Sequence, residues 1–266
     1  MPIDPVTTIV LLLAGFASGL FVSICSGTAA GYMIPILTVF LGKHIHKSIG
    51  TSIFIDSIVS LVAGIIFLRN GKIKLRPVLL LLIFSIIGAF LGSFLTGAAP
   101  ESGLNLYIGV VLLLFGINLV YNGVQKNIDF IKSKYSFNFF KKYKPYLFVI
   151  VGFMTGLMSG LTGFGGSGFI AIGLIFILDY DLHTAIGTSL IVMFFLAGSA
   201  SIGHIMKGNF IYDFALIAGI AALIGASVGS FIANKVDEEK LGKIIGIIMV
   251  LLGIAVFARM FLQNSF

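Results

Sequence analysis

Residues 157–172 read L-M-S-G-L-T-G-F-G-G-S-G-F-I-A-I, with five glycines (Gly160, Gly163, Gly165, Gly166 and Gly168) in an otherwise apolar run. A continuous membrane helix gains nothing from so many glycines, each of which weakens it by about 1 kcal/mol relative to alanine. The spacing predicts a helix that breaks at membrane depth and leaves backbone N–H and C=O groups free. Such breaks persist only where they face protein or a water-filled cavity rather than lipid. Transporters build substrate sites from them.

The surrounding composition fits that reading. Of 266 residues, 58% are hydrophobic and 10% charged, and the mean hydropathy is +1.13. Soluble domains carry about 25% charged residues, so the chain is expected to be an all-α, polytopic integral membrane protein. The net charge of +7 is no nucleic-acid signal, because most of the cationic residues sit in short loops between apolar runs, where they orient a membrane protein. The lone Cys25 excludes an internal disulfide, and residues 1–8, with Asp4 and no Lys or Arg, do not resemble a cleavable signal.

The first half holds four apolar stretches, at 8–42, 48–68, 77–99 and 104–122. Three have the roughly 20 residues that one crossing needs. The first is too long for one straight crossing and contains Gly27, Gly31 and Pro35, which predicts a crossing that breaks and continues as a half-helix. A polar stretch follows, with Lys126, Lys132, Lys134, Lys141, Lys142 and Lys144, and its aromatics suggest an interfacial segment. The expected organisation is a first repeat over 1–122, a basic cytoplasmic linker over 123–145 and a second repeat over 146–266.

The repeat is visible when the chain is slid along itself in one register, without a gap. Gly15-Phe16 then falls on Gly152-Phe153, and Ile49-Gly50-Thr51-Ser52 on Ile186-Gly187-Thr188-Ser189. Gly88-Ala89 falls on Gly225-Ala226, and Glu101 on Glu238. Two topologies fit. Four crossings per repeat give eight transmembrane helices in two parallel repeats, with Lys and Arg divided twelve against five and both termini cytoplasmic. If the long first stretch is instead two short crossings, each repeat has five, the repeats are inverted and both termini move outside. The linker and the loop from Arg69 to Arg76 are cytoplasmic either way.

Two glycine-rich breaks, each followed further along the chain by an I-G-T-S element, carry a resemblance. The breaks are Ser26-Gly27-Thr28 with Gly31 and Pro35, and Gly163 with Gly165-Gly166-Ser167-Gly168. The chain resembles the TauE/SafE family of sulfite and organosulfur-anion exporters over nearly its whole length. The first break departs from the family pattern with Thr28-Ala29-Ala30, and the second has Ile172 opposite Pro35. The resemblance implies a secondary membrane transporter of small anions, sulfite or small organosulfur compounds, in a prokaryotic cell membrane.

The residues themselves point to a small anion. A helix N-terminus after a break presents free N–H groups and partial positive charge. Hydroxyls add donors without a fixed charge that would trap the ion. Candidate substrate-binding residues are Gly27, Thr28, Gly31, Thr51, Ser52, Gly165, Gly166, Ser167, Gly168, Thr188 and Ser189. The competing reading is that Gly, Ser and Thr pack helices closely, which suits the isolated pairs Gly15/Gly19 and Gly88/Gly92 better than the doubled breaks. Asp56 is a carboxylate well inside an apolar stretch and is a candidate for ion coupling. Its repeat equivalent is Met193, so that role is asymmetric.

The remaining motifs carry less. His44, His46 and His183 lie in loops and lack clustered carboxylates, so no metal site is expected, nor any cofactor. Gly165-Gly166-Ser167-Gly168 with His204 is the layout of an intramembrane serine protease, but it sits in a glycine run, and the first repeat offers Ala30 and Phe67 at the equivalent positions. A non-transporting membrane subunit is the third alternative. The expected partners are a small anionic substrate and the lipid bilayer, with no nucleic acid. A homo-oligomer is left open.

Overall fold

Gly and Pro punctuation of a nearly uniform apolar sequence decides where each helix stops. The computed structural model describes residues 4–121, 143–164, 166–232 and 238–264. The linker up to residue 142, with five of its six lysines, and Gly165 lie outside the described residues. Within them the chain is all-helical.

The first half runs α1 (Pro5–Cys25), the short α2 (Ala30–Pro35), α3 (Ile45–Arg69), α4 (Leu79–Leu95) and α5 (Glu101–Tyr121). The second runs α6 (Lys144–Thr162), the short α7 (Ser167–Leu178), α8 (Leu182–Met206), α9 (Tyr212–Ile232) and α10 (Glu238–Asn264). The starts of α2 and α7, of α3 and α8, and of α5 and α10 fall on each other in the register that pairs Gly15 with Gly152. Among the described residues, seven helices have the length and hydropathy to cross a membrane.

Local chemistry sets the ends. Pro5 opens α1 behind the Asp4 cap, which accepts from the Thr7 amide at 3.3 Å. Pro35 has no N–H to donate, and beyond it α2 widens into one π turn over Ile36–Phe40. Gly163 ends α6 at φ +79°, a left-handed conformation that costs glycine nothing. Asp181 caps α8, accepting the Thr184 amide at 3.0 Å and its hydroxyl at 2.7 Å. The Thr184 hydroxyl holds that carboxyl below the usual carboxylate range, with help from the Thr184 amide and Lys72.

Packing fixes the helix directions. A Cβ on Gly15 would run into the Ala218 carbonyl oxygen and one on Gly19 into that of Ala222, so α1 and α9 run parallel in close contact. In the same way Gly88 meets Phe153 and Gly92 meets Leu157, so α4 and α6 run parallel. These glycines serve helix packing. The equivalent helices α3 and α8 are antiparallel, because Gly187 faces Phe67 while the Ser57 hydroxyl donates to the Phe194 carbonyl at 3.2 Å. The equivalent helices α5 and α10 are antiparallel too, since Gly109 faces Phe257 and Gly116 faces Gly246.

Of the two topologies the sequence allows, these directions select five segments per half. With four, α3 and α8 would run the same way. The short helices α2 and α7 each reverse the chain, and equivalent helices point in opposite directions, so the halves are inverted. Arg69, Lys72, Lys74, Arg76, Lys144 and Lys243 then lie at one end of the bundle, and Lys43, Lys47, Lys207 and Arg259 at the other.

A Cβ on Gly156 would run into the Ser85 carbonyl oxygen and lie 2.9 Å from the Ala89 amide. Backbone cannot yield as a side chain does, and overpacking of this kind costs about 1–3 kcal/mol. Gly156→Ala is therefore expected to lower the unfolding midpoint in detergent. Gly173→Ala, where a Cβ meets nothing within 4 Å, should leave it unchanged or raise it. Equal midpoints for the two variants would count against this packing.

Candidate functional site

The antiparallel pair α3 and α8 carries the two breaks against each other. The Ser167 hydroxyl, at the start of α7, lies 2.8 Å from the Ser26 carbonyl oxygen and 2.7 Å from that of Gly27. The Ser26 hydroxyl pairs with that of Ser189 at 2.7 Å. Thr28 Oγ1 reaches the Gly163 carbonyl at 3.0 Å. Each break is thus bonded to the other across the pseudo-two-fold.

The two half-helices begin differently. At α2, Asp56 from α3 accepts the Ala29 amide at 2.5 Å and the Thr28 hydroxyl at 2.5 Å, and it is fully buried. A carboxylate already occupies that N-terminus. At α7 the equivalent place belongs to Met193, and no side chain caps the helix. The first amides of α7, those of Ser167 and Gly168, meet no capping side chain.

Those amides adjoin a cavity of about 70 Å³, room for several waters or one small oxyanion. Its polar end is Ser26, Gly27, Thr28, Gly166, Ser167 and Gly168. Its other walls are Phe21, Phe164 and Phe169, with Val111 and Phe115 from α5 and Met249 from α10. Phe115 and Phe169 stack edge to face with centroids 5.7 Å apart. A site with backbone dipoles at one end, apolar walls over nearly all of its surface and no Lys or Arg among these residues suits an ion that must be bound and released.

The structure brings together part of the candidate set. Gly27, Thr28, Gly166, Ser167 and Gly168 line the cavity, and Ser189 backs it through Ser26. Gly31 is buried behind it, facing Phe164 and Leu112. The Ser52 hydroxyl bonds within α3, to the Ser48 carbonyl at 2.6 Å. Thr51 and Thr188 lie elsewhere and do mirror-image work. Thr51 Oγ1 accepts the Ile211 amide at 3.1 Å and Thr188 Oγ1 accepts the Lys74 amide at 3.1 Å. Gly50 and Gly187 sit under the carbonyls of Asn209 and Lys72, so the paired I-G-T-S elements clamp the loops of the opposite half.

The protease layout does not assemble. His204 is fully buried with Nε2 2.9 Å from the Gly160 carbonyl oxygen, while the Ser167 hydroxyl is engaged by two carbonyls. Among the described residues, no hydrogen bond joins Ser167 to His204. The aromatic wall was missed by sequence reasoning, because phenylalanine in an apolar span reads as lipid-facing.

With this geometry in place, comparison with known proteins is informative. The family model described as sulfite exporter TauE/SafE matches residues 11–256. The probable membrane transporter protein YdhB of Bacillus subtilis (strain 168) is 27% identical over 231 residues, covering 85% of this chain and 88% of its own. The probable membrane transporter protein MJ0441 of Methanocaldococcus jannaschii is 25% identical over 266 residues, covering 92% and 93%. No solved structure matches the chain.

Proposed function

The chain belongs to the sulfite exporter TauE/SafE family, a multi-pass membrane transporter family, and from that premise we propose that it is a secondary transporter of small anions, sulfite or small organosulfur compounds, in a prokaryotic cytoplasmic membrane. The observation that carries this reading is the uncapped N-terminus of α7 opening on a cavity at the interface between inverted halves. The anion accepts from the Ser167 and Gly168 amides, while Gly27 and Thr28 of the opposite break close the site. Because each half holds one break, rocking of one half against the other exposes the site to either side in turn. The end bearing Arg69 and Arg76 faces the cytoplasm by the positive-inside rule.

The site also contains a group that can couple transport to protons. One Thr28 hydroxyl hydrogen is within reach of two acceptors, Asp56 Oδ2 and the Gly163 carbonyl. With Asp56 ionised, the hydrogen belongs to the carboxylate. With Asp56 protonated, the carboxylic acid donates to Thr28 and the threonine hydrogen turns to Gly163, tying the two halves together. Proton state and inter-half contact are thereby linked.

Flux in proteoliposomes, with sulfite, sulfate, thiosulfate, taurine and sulfoacetate offered in parallel, tests the proposal. Saturable flux of at least one is expected. Folded protein that carries none of them overturns the substrate class.

A further inference from the structure

A second cavity, of about 150 Å³ and mostly polar, lies at the end of the bundle opposite the linker. It is lined by Lys43 and His44 of the α2–α3 loop, Glu101 and Asn105 of α5, Arg259 of α10, and Thr38. Two cations share one acid here, yet the acid is turned elsewhere. Glu101 Oε1 is 3.4 Å from His44 Nδ1 and 3.6 Å from His46 Nδ1, and His46 is oriented by Nε2, 3.1 Å from the Ala99 carbonyl oxygen. Among the described residues Arg259 has no carboxylate partner, and neither has Lys43, whose ammonium sits 5.0 Å over the Phe214 ring.

Arg259 lies near the C-terminal end of α10, at the exposed end of the bundle, where a guanidinium without a carboxylate partner among the described residues is placed to meet an anion from solution. The elements that frame this pocket also lead to the central cavity. Asn105 and Val111 are both on α5, less than two turns apart, and α10 carries both Arg259 and Met249. Thr38 lies in the turn that ends the α2 segment, whose opposite end is the break at Gly27 and Thr28.

We infer that this pocket is a vestibular docking site for the transported anion, which seats a small oxyanion between Arg259 and Lys43 with Asn105 as a neutral donor. The inference rests on the proposed anion transport and adds where the ion is received or released. A guanidinium offers an oxyanion two parallel N–H bonds. His44 and Glu101 at the rim are exposed, so the site's hold is loose and weakens with added salt, as a vestibule requires.

Two readouts test it, with sulfite as the probe: flux kinetics in proteoliposomes, and sulfite-induced rise of the unfolding midpoint in detergent at low ionic strength. Arg259→Gln is expected to raise KM about tenfold, the weight of one charge-assisted hydrogen bond, with maximal rate kept. Arg259→Lys should restore most of the loss, and Lys43→Gln should reproduce it in part. A protein whose central cavity is filled by Gly168→Leu should still be stabilised by sulfite, and adding Arg259→Gln should remove that response. Wild-type KM and wild-type stabilisation in both Arg259→Gln and Lys43→Gln would overturn the inference. If no variant carries sulfite, the transport reading fails for that ion, and the unfolding midpoint still decides whether Arg259 holds an oxyanion.

Discussion

With leucine at position 168, anion flux is expected to fall by on the order of 100-fold or more while the protein folds normally. The pairing of those two outcomes comes from the site's geometry. A Cβ on Gly168 meets only the Ser26 carbonyl oxygen, at 3.4 Å, which is ordinary contact, so the backbone has no reason to move. The rest of the leucine side chain enters a cavity of about 70 Å³ and covers the amides at the start of α7. Losing the Ser167 and Gly168 donors at roughly 1.5 kcal/mol each, as hydrogen bonds to a charged ion, gives the expected magnitude. Gly166 is a poorer position for this test, since a Cβ there runs into Met193 Sδ and disturbs packing as well. Flux and the unfolding midpoint are measured together. Unchanged flux in a folded Gly168→Leu protein would remove the α7 N-terminus from the transport path.

Asp56→Asn is expected to leave the fold intact and abolish the response of transport to a pH gradient. The asparagine carbonyl still accepts the Ala29 amide, and its NH2 group donates to Thr28 Oγ1, so α2 keeps its cap. What disappears is the exchange in which Thr28 donates either to Asp56 or to Gly163. Asp56→Ala differs in kind. It strands the Ala29 amide in a fully buried place, at a cost of about 1–3 kcal/mol, and should lower the unfolding midpoint. Initial rates with and without an imposed pH gradient distinguish the cases. If Asp56→Asn transports with the wild-type pH response, Asp56 is a structural cap and the coupling proton is carried elsewhere.

The class of this protein and the position of its breaks were legible in the sequence because both are local. Apolar runs of about 20 residues admit little but membrane helices, and five glycines between Leu157 and Phe169 stop a helix whatever lies nearby. In the register that pairs Gly15 with Gly152, the starts of α2 and α7, of α3 and α8, and of α5 and α10 fall opposite one another. The packing role of Gly15, Gly19, Gly88 and Gly92 was readable as well, since small residues at helical spacing serve close approach.

Direction and membership of the site were not legible. A hydropathy pattern reads the same from either end, so the inverted relation of the halves appears only when Gly187 is found against Phe67 and Gly109 against Phe257. Thr51 and Thr188 have the chemistry of anion ligands, but they lie near the ends of α3 and α8, where their hydroxyls accept loop amides. Asp56 stood out as a buried acid from its neighbours in sequence. That it caps α2, leaving only α7 open, depends on a contact between two separate helical segments. The sequence by itself determined an all-helical, polytopic membrane protein with two broken helices. Only the tertiary structure decided that the halves are inverted, that one break rather than both lacks a capping side chain, and that α5 and α10 wall the cavity, because each depends on which side chains meet across the pseudo-two-fold.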